Sequence, residues 1–303
     1  MIMNSRLLKI LVWAAVALVA APGCGPPEKD KLEPFKSNPP AIMSTETELT
    51  VIALGSREKQ ANIALRRAEQ ALRRVEAKMS SWMEASELSQ FNIAPPGQPA
   101  KLSEMTMGLL RLSKQLAKQT DGAFDVTCRP ILQLWRGARK AKRLPTDLEI
   151  AAAINKCGWD NIELKGDSAV KKVDGASMDL GGIAKGFGID QATEAIIAAG
   201  MQGGMVNVGG DVRCFGKRTD GGKWRIGVKN PFTGDPTFGI VDISSGAVCT
   251  SGNYERFFEI DSKRYSHIVD PRTGRPVDLA PSVTVVAPTA TAADAWATAL
   301  SVL

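Results

Sequence analysis

Histidine is almost missing from this chain: among 303 residues, His267 is the only one. Any histidine chemistry therefore has a single candidate. Cysteine is sparse too, and the spacings of Cys128, Cys157, Cys214 and Cys249 match no zinc pattern. A chain of this length buries roughly three quarters of the surface its unfolded form exposes, so it needs no disulfide scaffold. An oxidising compartment permits disulfides here, but the spacings name no pairing. The apolar run ILVWAAVALVAA at 10 to 21 is too short to span a bilayer. Dense basic blocks and aromatic-basic interleaving are absent, which argues against a nucleic-acid partner despite a formal charge of +6. There is no solenoid-type repeat. Strands and helices follow no regular β-α-β alternation, so the expected class is α+β rather than a doubly wound sheet.

What is present begins with a globular composition, 44% hydrophobic and 23% charged. Arg6 and Lys9 precede the apolar run, which has the length of a signal-peptide core, so residues 1–23 are expected to be an export signal. Cys24 follows small residues, as in the lipobox of bacterial lipoproteins, and is the expected lipidation site and mature N-terminus. Without Arg6 and Lys9 the formal charge becomes 6 − 2 = +4. The segment GPPEKDKLEPFKSNPP, rich in proline and charge, suits a flexible tether over residues 24–40 that links an anchor to a body at 41–303.

Within the body, AIMSTETELTVIA (41–53) alternates like an opening strand. Ala64, Ala68, Leu72, Val75 and Met79 recur at helical spacing among arginines and glutamates, and this predicts an amphipathic helix. Further helices are expected over 104–118, from Thr146, which has capping-box spacing to Glu149, over 183–199, and from about Ala292. GGMVNVGGDVRCFG, KWRIGVKNP, GIVDISSGAVCTSG and SVTVVAP are short apolar runs bounded by turn residues and read as strands.

Three stretches carry candidate chemistry. In SMDLGGIAKGFGID (177–190) paired glycines lead into a helix whose free N–H groups suit a phosphate, although by themselves the glycines are better accounted for by a plain tight turn. Asp179 and Lys185 add an acid and a base to that turn. In ADAWATAL (293–300), Asp294 and Thr298 stand four apart on one helix face. One carboxylate and one hydroxyl are a usual protein share of an Mg²⁺ shell, and they are also commonplace on helices. In YSHIVDPRTGRPV (265–277), His267 precedes an Asp-Pro and a Thr-Gly that by themselves are turn chemistry.

Taken in order, IMST, MSSWMEASELSQFN, DGAFDVTCRPILQLW, MDLGGIAKGFGID, VNVGGDVRCFG, TSGNYERFFEIDSKRYSHIVDPRTGRPV, SVTVVAP and ADAWATAL resemble the FAD:protein FMN transferases of the ApbE type. The likeness runs from Met43 to the C-terminus. It implies a single large T-fold-like α+β domain of two intimate halves, and an exported, Mg²⁺-dependent enzyme. Such an enzyme moves FMN from FAD to a threonine of an acceptor protein, typically a subunit of a membrane redox complex, and releases AMP. On this resemblance the metal ligands are Asp294, Thr298 and the carbonyl of Gly182. Flavin contacts fall at Met43, Trp82, Ala123, Phe124, Asp125, Asp179, Lys185, His267 and Ile268, with His267 and Asp294 the catalytic candidates. Histidine's ordinary pKa of about 6.5 suits a base that takes the threonine proton. Two other classes share these features: an FAD pyrophosphatase that gives FMN and AMP, and a flavin-binding lipoprotein without chemistry.

The chain departs from the family pattern at Cys128 and Arg129, where a small apolar residue and glycine are usual, and at Ser44, where glycine is usual. It also stops at Leu303, a few residues past Thr298, where relatives continue for some tens of residues. A short final helix or a C-terminal truncation is the expectation.

Overall fold

The computed structural model describes residues 30–232, 234–252 and 257–303. The expected signal segment, Cys24 and part of the TSGNYERFF block lie outside them.

The first element corrects the expected tether. Residues 32–37 form β1 (Leu32–Ser37), which pairs in antiparallel register from Leu32↔Leu54 to Ser37↔Leu49 with β2 (Thr47–Leu54). The charge and proline of this stretch hid two anchors, for Phe35 and Leu32 pack on opposite faces of the sheet. Pro34 is tolerated because β1 is an edge strand, where one side needs no partner. The opening strand is likewise shorter than expected. Residues 42–45 form a tight turn, closed by Ile42 N–H to Thr45 O (3.2 Å) and Thr45 N–H to Ile42 O (3.1 Å).

Next comes α1 (Glu58–Met79), which buries the predicted Ala64, Ala68, Leu72, Val75 and Met79, with Ala61 and Leu65 besides. It is followed by α2 (Glu87–Ile93), β3 (Ala100–Lys101), α3 (Glu104–Gln119), α4 (Arg129–Ala141) and α5 (Asp147–Ile154). The predicted capping box of Thr146 and Glu149 is formed in full at the start of α5. The chain continues through β4 (Ile162–Lys165), β5 (Ser168–Lys171), α6 (Ala184–Ala198), β6 (Gly203–Val208), β7 (Asp211–Gly216), β8 (Trp224–Lys229), β9 (Thr237–Ile243) and β10 (Gly246–Gly252). It closes with β11 (Phe257–Ile260), β12 (Lys263–Ser266), β13 (Val269–Asp270), β14 (Arg275–Pro276), β15 (Ser282–Ala287) and α7 (Ala290–Leu300). Helices α2 and α4 were not anticipated. The first is too short to show a period, and the second opens on Pro130 and contains Gly137, residues that otherwise signal turns.

A six-stranded antiparallel sheet, in the order β1-β2-β6-β7-β10-β15, organises the α+β fold. Leu49, Val51, Val206, Ala247 and Cys249 point from one face toward α1, α6 and α7. Ile52, Val212, Cys214 and Val248 point from the other toward the β8–β9 hairpin. A second core gathers α2, α3 and the small β3-β5-β4 sheet around the far end of α1 and around Ala295 and Ala299 of α7. Because α1 and α7 serve both cores, the body is continuous. A third cluster docks the β11–β12 hairpin on α4 and α5 through Trp135, whose ring lies 5.8 Å from Tyr265 and 6.1 Å from Phe258. All four described cysteines are free thiols.

Glu87 stitches three helices in the second core. Lys78 of α1 donates to it at 2.5 Å, the Ser103 N–H and hydroxyl at 3.0 and 2.8 Å, and the Thr106 hydroxyl at 2.6 Å. Partial burial opposes its ionisation, but these bonds outweigh burial and hold the carboxyl down at about 2, from an ordinary 4.5. A depressed folded-state pKa gives stability that is present above the unfolded value and lost as pH falls through the folded one. Urea unfolding of the wild type should therefore weaken from pH 4.5 toward 2 more steeply than that of Glu87→Gln; parallel curves would remove Glu87 from the acid response.

Candidate active site

The turn at 42–45 builds one wall of the site. Met43 and Ser44 have φ of 52° and 59°, left-handed values that cost a residue with a side chain about 1–2 kcal/mol each. Glycine would adopt this backbone without that cost. The turn is held by Glu76, which accepts the Met43 N–H at 2.6 Å. Gly188 makes room for the Met43 methyl group, since a Cβ there would lie 2.8 Å from Met43 Cε. Opposite stands the segment 177–185. Asp179 donates its N–H to Val126 O at 2.8 Å, and its Oδ1 accepts the Gly181 N–H at 2.9 Å. Between these walls lies a cavity of about 400 Å³, lined among others by Met43, Trp82, Asp179 and Lys185. Four predicted ligand residues thus converge on one space.

The glycine-rich turn lets two helices touch. At Gly186 a side chain would collide with the Ala290 carbonyl and meet Asp294 Cβ at 2.7 Å, so α6 crosses α7 in near backbone contact. The Gly186 N–H donates to Asp294 Oδ2 at 2.8 Å. Thr298, one turn further along α7, packs against Gly182, where a Cβ would lie 3.1 Å from its hydroxyl. Ser251 Oγ stands 3.3 Å from the same hydroxyl. The predicted trio of Gly182, Asp294 and Thr298 is brought together beside Lys185. The α7 register depends on Asp190 of α6, which accepts the N–H groups of Ala290 and Thr291 at 2.8 Å and pairs with Arg213 at 2.9 Å.

Charge is concentrated here. Burial, reinforced by Asp211, raises the Asp294 carboxyl above the ordinary carboxylate range, although Lys185 and the Gly186 bond pull the other way. Burial also opposes the charge of Lys185, but Asp294 and Asp211 outweigh it and raise the ammonium pKa. Asp211 is the member that sequence reasoning missed. It is buried, pairs with Lys185 and accepts the Thr250 N–H at 2.8 Å. A carboxylate opening an apolar strand just after the Gly-Gly of VNVGGDV was the available signal.

The remaining predicted residues sit around this centre. Ala123 and Phe124 are core residues, Phe124 lying 3.5 Å from where a Gly182 Cβ would be. Asp125 accepts the Thr127 N–H at 2.8 Å, and burial raises its pKa. His267 and Ile268 join β12 to β13 and do not line the cavity, and His267 is exposed. Their hairpin packs through its DPRTG turn on the segment before Ala123 and on α4. Arg272, clamped to Asp270 at 2.9 and 3.0 Å, leans on Gly122, while the Trp135 indole donates to Gly274 O at 2.8 Å.

Similarity to known proteins follows the same span. Residues 43–303 match the profile of the ApbE family. The FAD:protein FMN transferase of Vibrio cholerae is 35% identical over 239 residues, covering 78% of this chain and 72% of that protein. The protein of the same name from Haemophilus influenzae is 35% identical over 246 residues, covering 78% and 71%. Among solved structures, the ApbE protein of Thermotoga maritima superimposes with a TM-score of 0.81 at 33% identity, over 89% of this chain and 87% of that one. The apo flavinyl transferase ApbE of Pseudomonas stutzeri gives 0.78 at 30% identity, over 90% and 85%. With the turn at Met43, the glycine-rich crossing and the α7 pair Asp294 and Thr298 all inside the matched span, this chain belongs to the ApbE family.

Proposed function

We propose that this chain takes the FMN half of FAD and joins it through a phosphoester to a threonine hydroxyl of an acceptor protein, releasing AMP. The observation that carries this reading is the convergence of Met43, Trp82, Asp179 and Lys185 on one cavity beside Asp294 and Thr298. In the reaction the threonine oxygen bonds to the FMN phosphorus, the pyrophosphate P–O bond breaks, and AMP leaves with the bridging oxygen. The hydroxyl proton must go to a base. Such a transfer needs charge neutralisation and alignment more than covalent help.

The residues fit Mg²⁺. Among the described residues no group of three or more His, Cys, Asp or Glu could hold a metal. One buried carboxylate, one hydroxyl and a backbone carbonyl are instead the sparse oxygen set that Mg²⁺ accepts when phosphates and water complete its shell. Asp294, Thr298 and Gly182 would hold it, and burial of the Asp294 charge is a cost that a cation relieves. Once bound, the metal supplies neutralisation of pyrophosphate charge. Lys185 adds a fixed positive charge, and Trp82 and Met43 offer an aromatic face and a polarizable thioether to the ring systems.

The resemblance assigns the base to His267, which is exposed on the link between β12 and β13, outside the cavity lining. Among the described residues no helix is long and apolar enough to cross a membrane. We propose that lipid on Cys24 holds the body near acceptors in a membrane redox complex, facing the outer side of a bacterial membrane.

Incubation with FAD, Mg²⁺ and a threonine-bearing acceptor peptide tests the reading: flavin should become covalent on the peptide. Free FMN with AMP would mark a pyrophosphatase, and unchanged bound FAD a carrier. Asp294→Ala should keep FAD binding in an equilibrium titration but stop AMP release, and wild-type release would reject the metal assignment. His267→Gln should stay folded, lower kcat by about 10²- to 10⁴-fold and lose the acidic limb of the pH–rate profile; an unchanged rate and profile would leave it a positioning role only. Mass spectrometry of the N-terminal peptide should find lipid on Cys24, and an unmodified peptide that begins elsewhere would reject the anchor.

A further inference from the structure

Helix α4 sends one residue toward the cavity that no motif singled out. Arg136 follows Trp135, which is buried and bonded to Gly274 O at 2.8 Å, so its place on the helix is set by the third core cluster. From there its guanidinium carbon stands 4.6 Å from the centre of the Trp82 ring. Its Nη2 donates to Asp179 Oδ2 at 3.3 Å. Ser81, next to Trp82, donates its hydroxyl to the same oxygen at 3.2 Å. Asp179 is nearly closed off, its side chain 9% exposed, while Trp82 is 75% exposed.

An indole that is three-quarters exposed has little packing to hold its rotamer. Trp82 lines the cavity and Arg136 does not, so the cation occupies one face of the indole without itself lining the ligand space. A guanidinium is planar and stacks on aromatic faces while its N–H groups stay free for a carboxylate. Arg136 uses both properties at once, on Trp82 and on Asp179. Arg129, seven residues earlier on α4, adds a second positive charge near Asp179.

We propose that Arg136 is a positioning residue for flavin-nucleotide binding. It clamps Trp82 against Asp179 and so presents the free indole face to a planar ring of the ligand, as the middle layer of an Arg–Trp–ring stack. The inference rests on the proposed FAD site and deepens it.

The test is a double-mutant cycle on the full chain, with FAD affinity read by equilibrium titration and turnover read as KM against kcat. Arg136→Ala should weaken FAD binding by roughly 3- to 30-fold, the range of a cation–aromatic contact, with kcat little changed and the thermal midpoint near that of the wild type. In a Trp82→Ala background the same change should have a clearly smaller effect. Arg136→Lys, which keeps the charge for Asp179 but not the planar stack, should fall between wild type and Ala, and it replaces Ala in the cycle should that variant fold poorly. Wild-type affinity in both variants, or equal losses with and without Trp82, would overturn the clamp and leave the FAD reading intact. A wild-type chain that does not bind FAD would overturn both.

Discussion

The near contact of α6 and α7 at Gly186 is the constraint on which the site depends. Two helices approach this closely only where a residue without a side chain sits at the crossing, and any Cβ at 186 would strike the Ala290 carbonyl. Closeness alone would leave α7 free to slide. Asp190 prevents this by accepting the first N–H groups of α7 from within α6, and Arg213 of the sheet neutralises it. A carboxylate at a helix N-terminus also meets the positive end of the helix dipole. With the register set, Asp294 meets the Gly186 N–H and Thr298 meets Gly182.

The same crossing sets the electrostatics. The buried Asp211 and Asp294 and the half-buried Lys185 form a group with one positive and two negative charges when all are ionised. Burial disfavours the charges of Lys185 and Asp294; the two carboxylates outweigh it for Lys185, and Lys185 and the Gly186 N–H oppose it at Asp294. Such a group is short of one positive charge, which a cation beside Asp294 would supply. Around it the wall residues accept strain or exposure: Met43 and Ser44 stand in left-handed backbone, and Trp82 projects largely into solvent. Both are held by polar contacts from neighbouring elements, Glu76 for the turn and Arg136 for the indole.

Local chemistry was legible in the sequence. The α1 face, the α5 capping box, the α6 and α7 helices and the glycine-bounded strands all appear close to where periodicity and turn residues put them, because these signals act within a few residues. Where composition outweighed pattern the reading erred. Proline and charge in LEPFKS suggested a tether, while Phe35 and Leu32 were anchoring an edge strand. Helix α4 was hidden by Pro130 and Gly137, and Arg136 was hidden with it.

The sequence by itself determined the candidates for chemistry: a single histidine, a glycine-rich helix entry flanked by Asp179 and Lys185, and a carboxylate and hydroxyl four apart on a helix face. Tertiary structure alone decided which of them meet. It drew Asp211 to Lys185 across 26 residues, Arg136 to Asp179 across 43 and Gly186 to Asp294 across 108, and kept His267 out of the cavity lining. The reason is physical: periodicity and capping report on neighbours within a turn or two, whereas these contacts depend on where elements cross, and crossing is decided by the packing of the whole body.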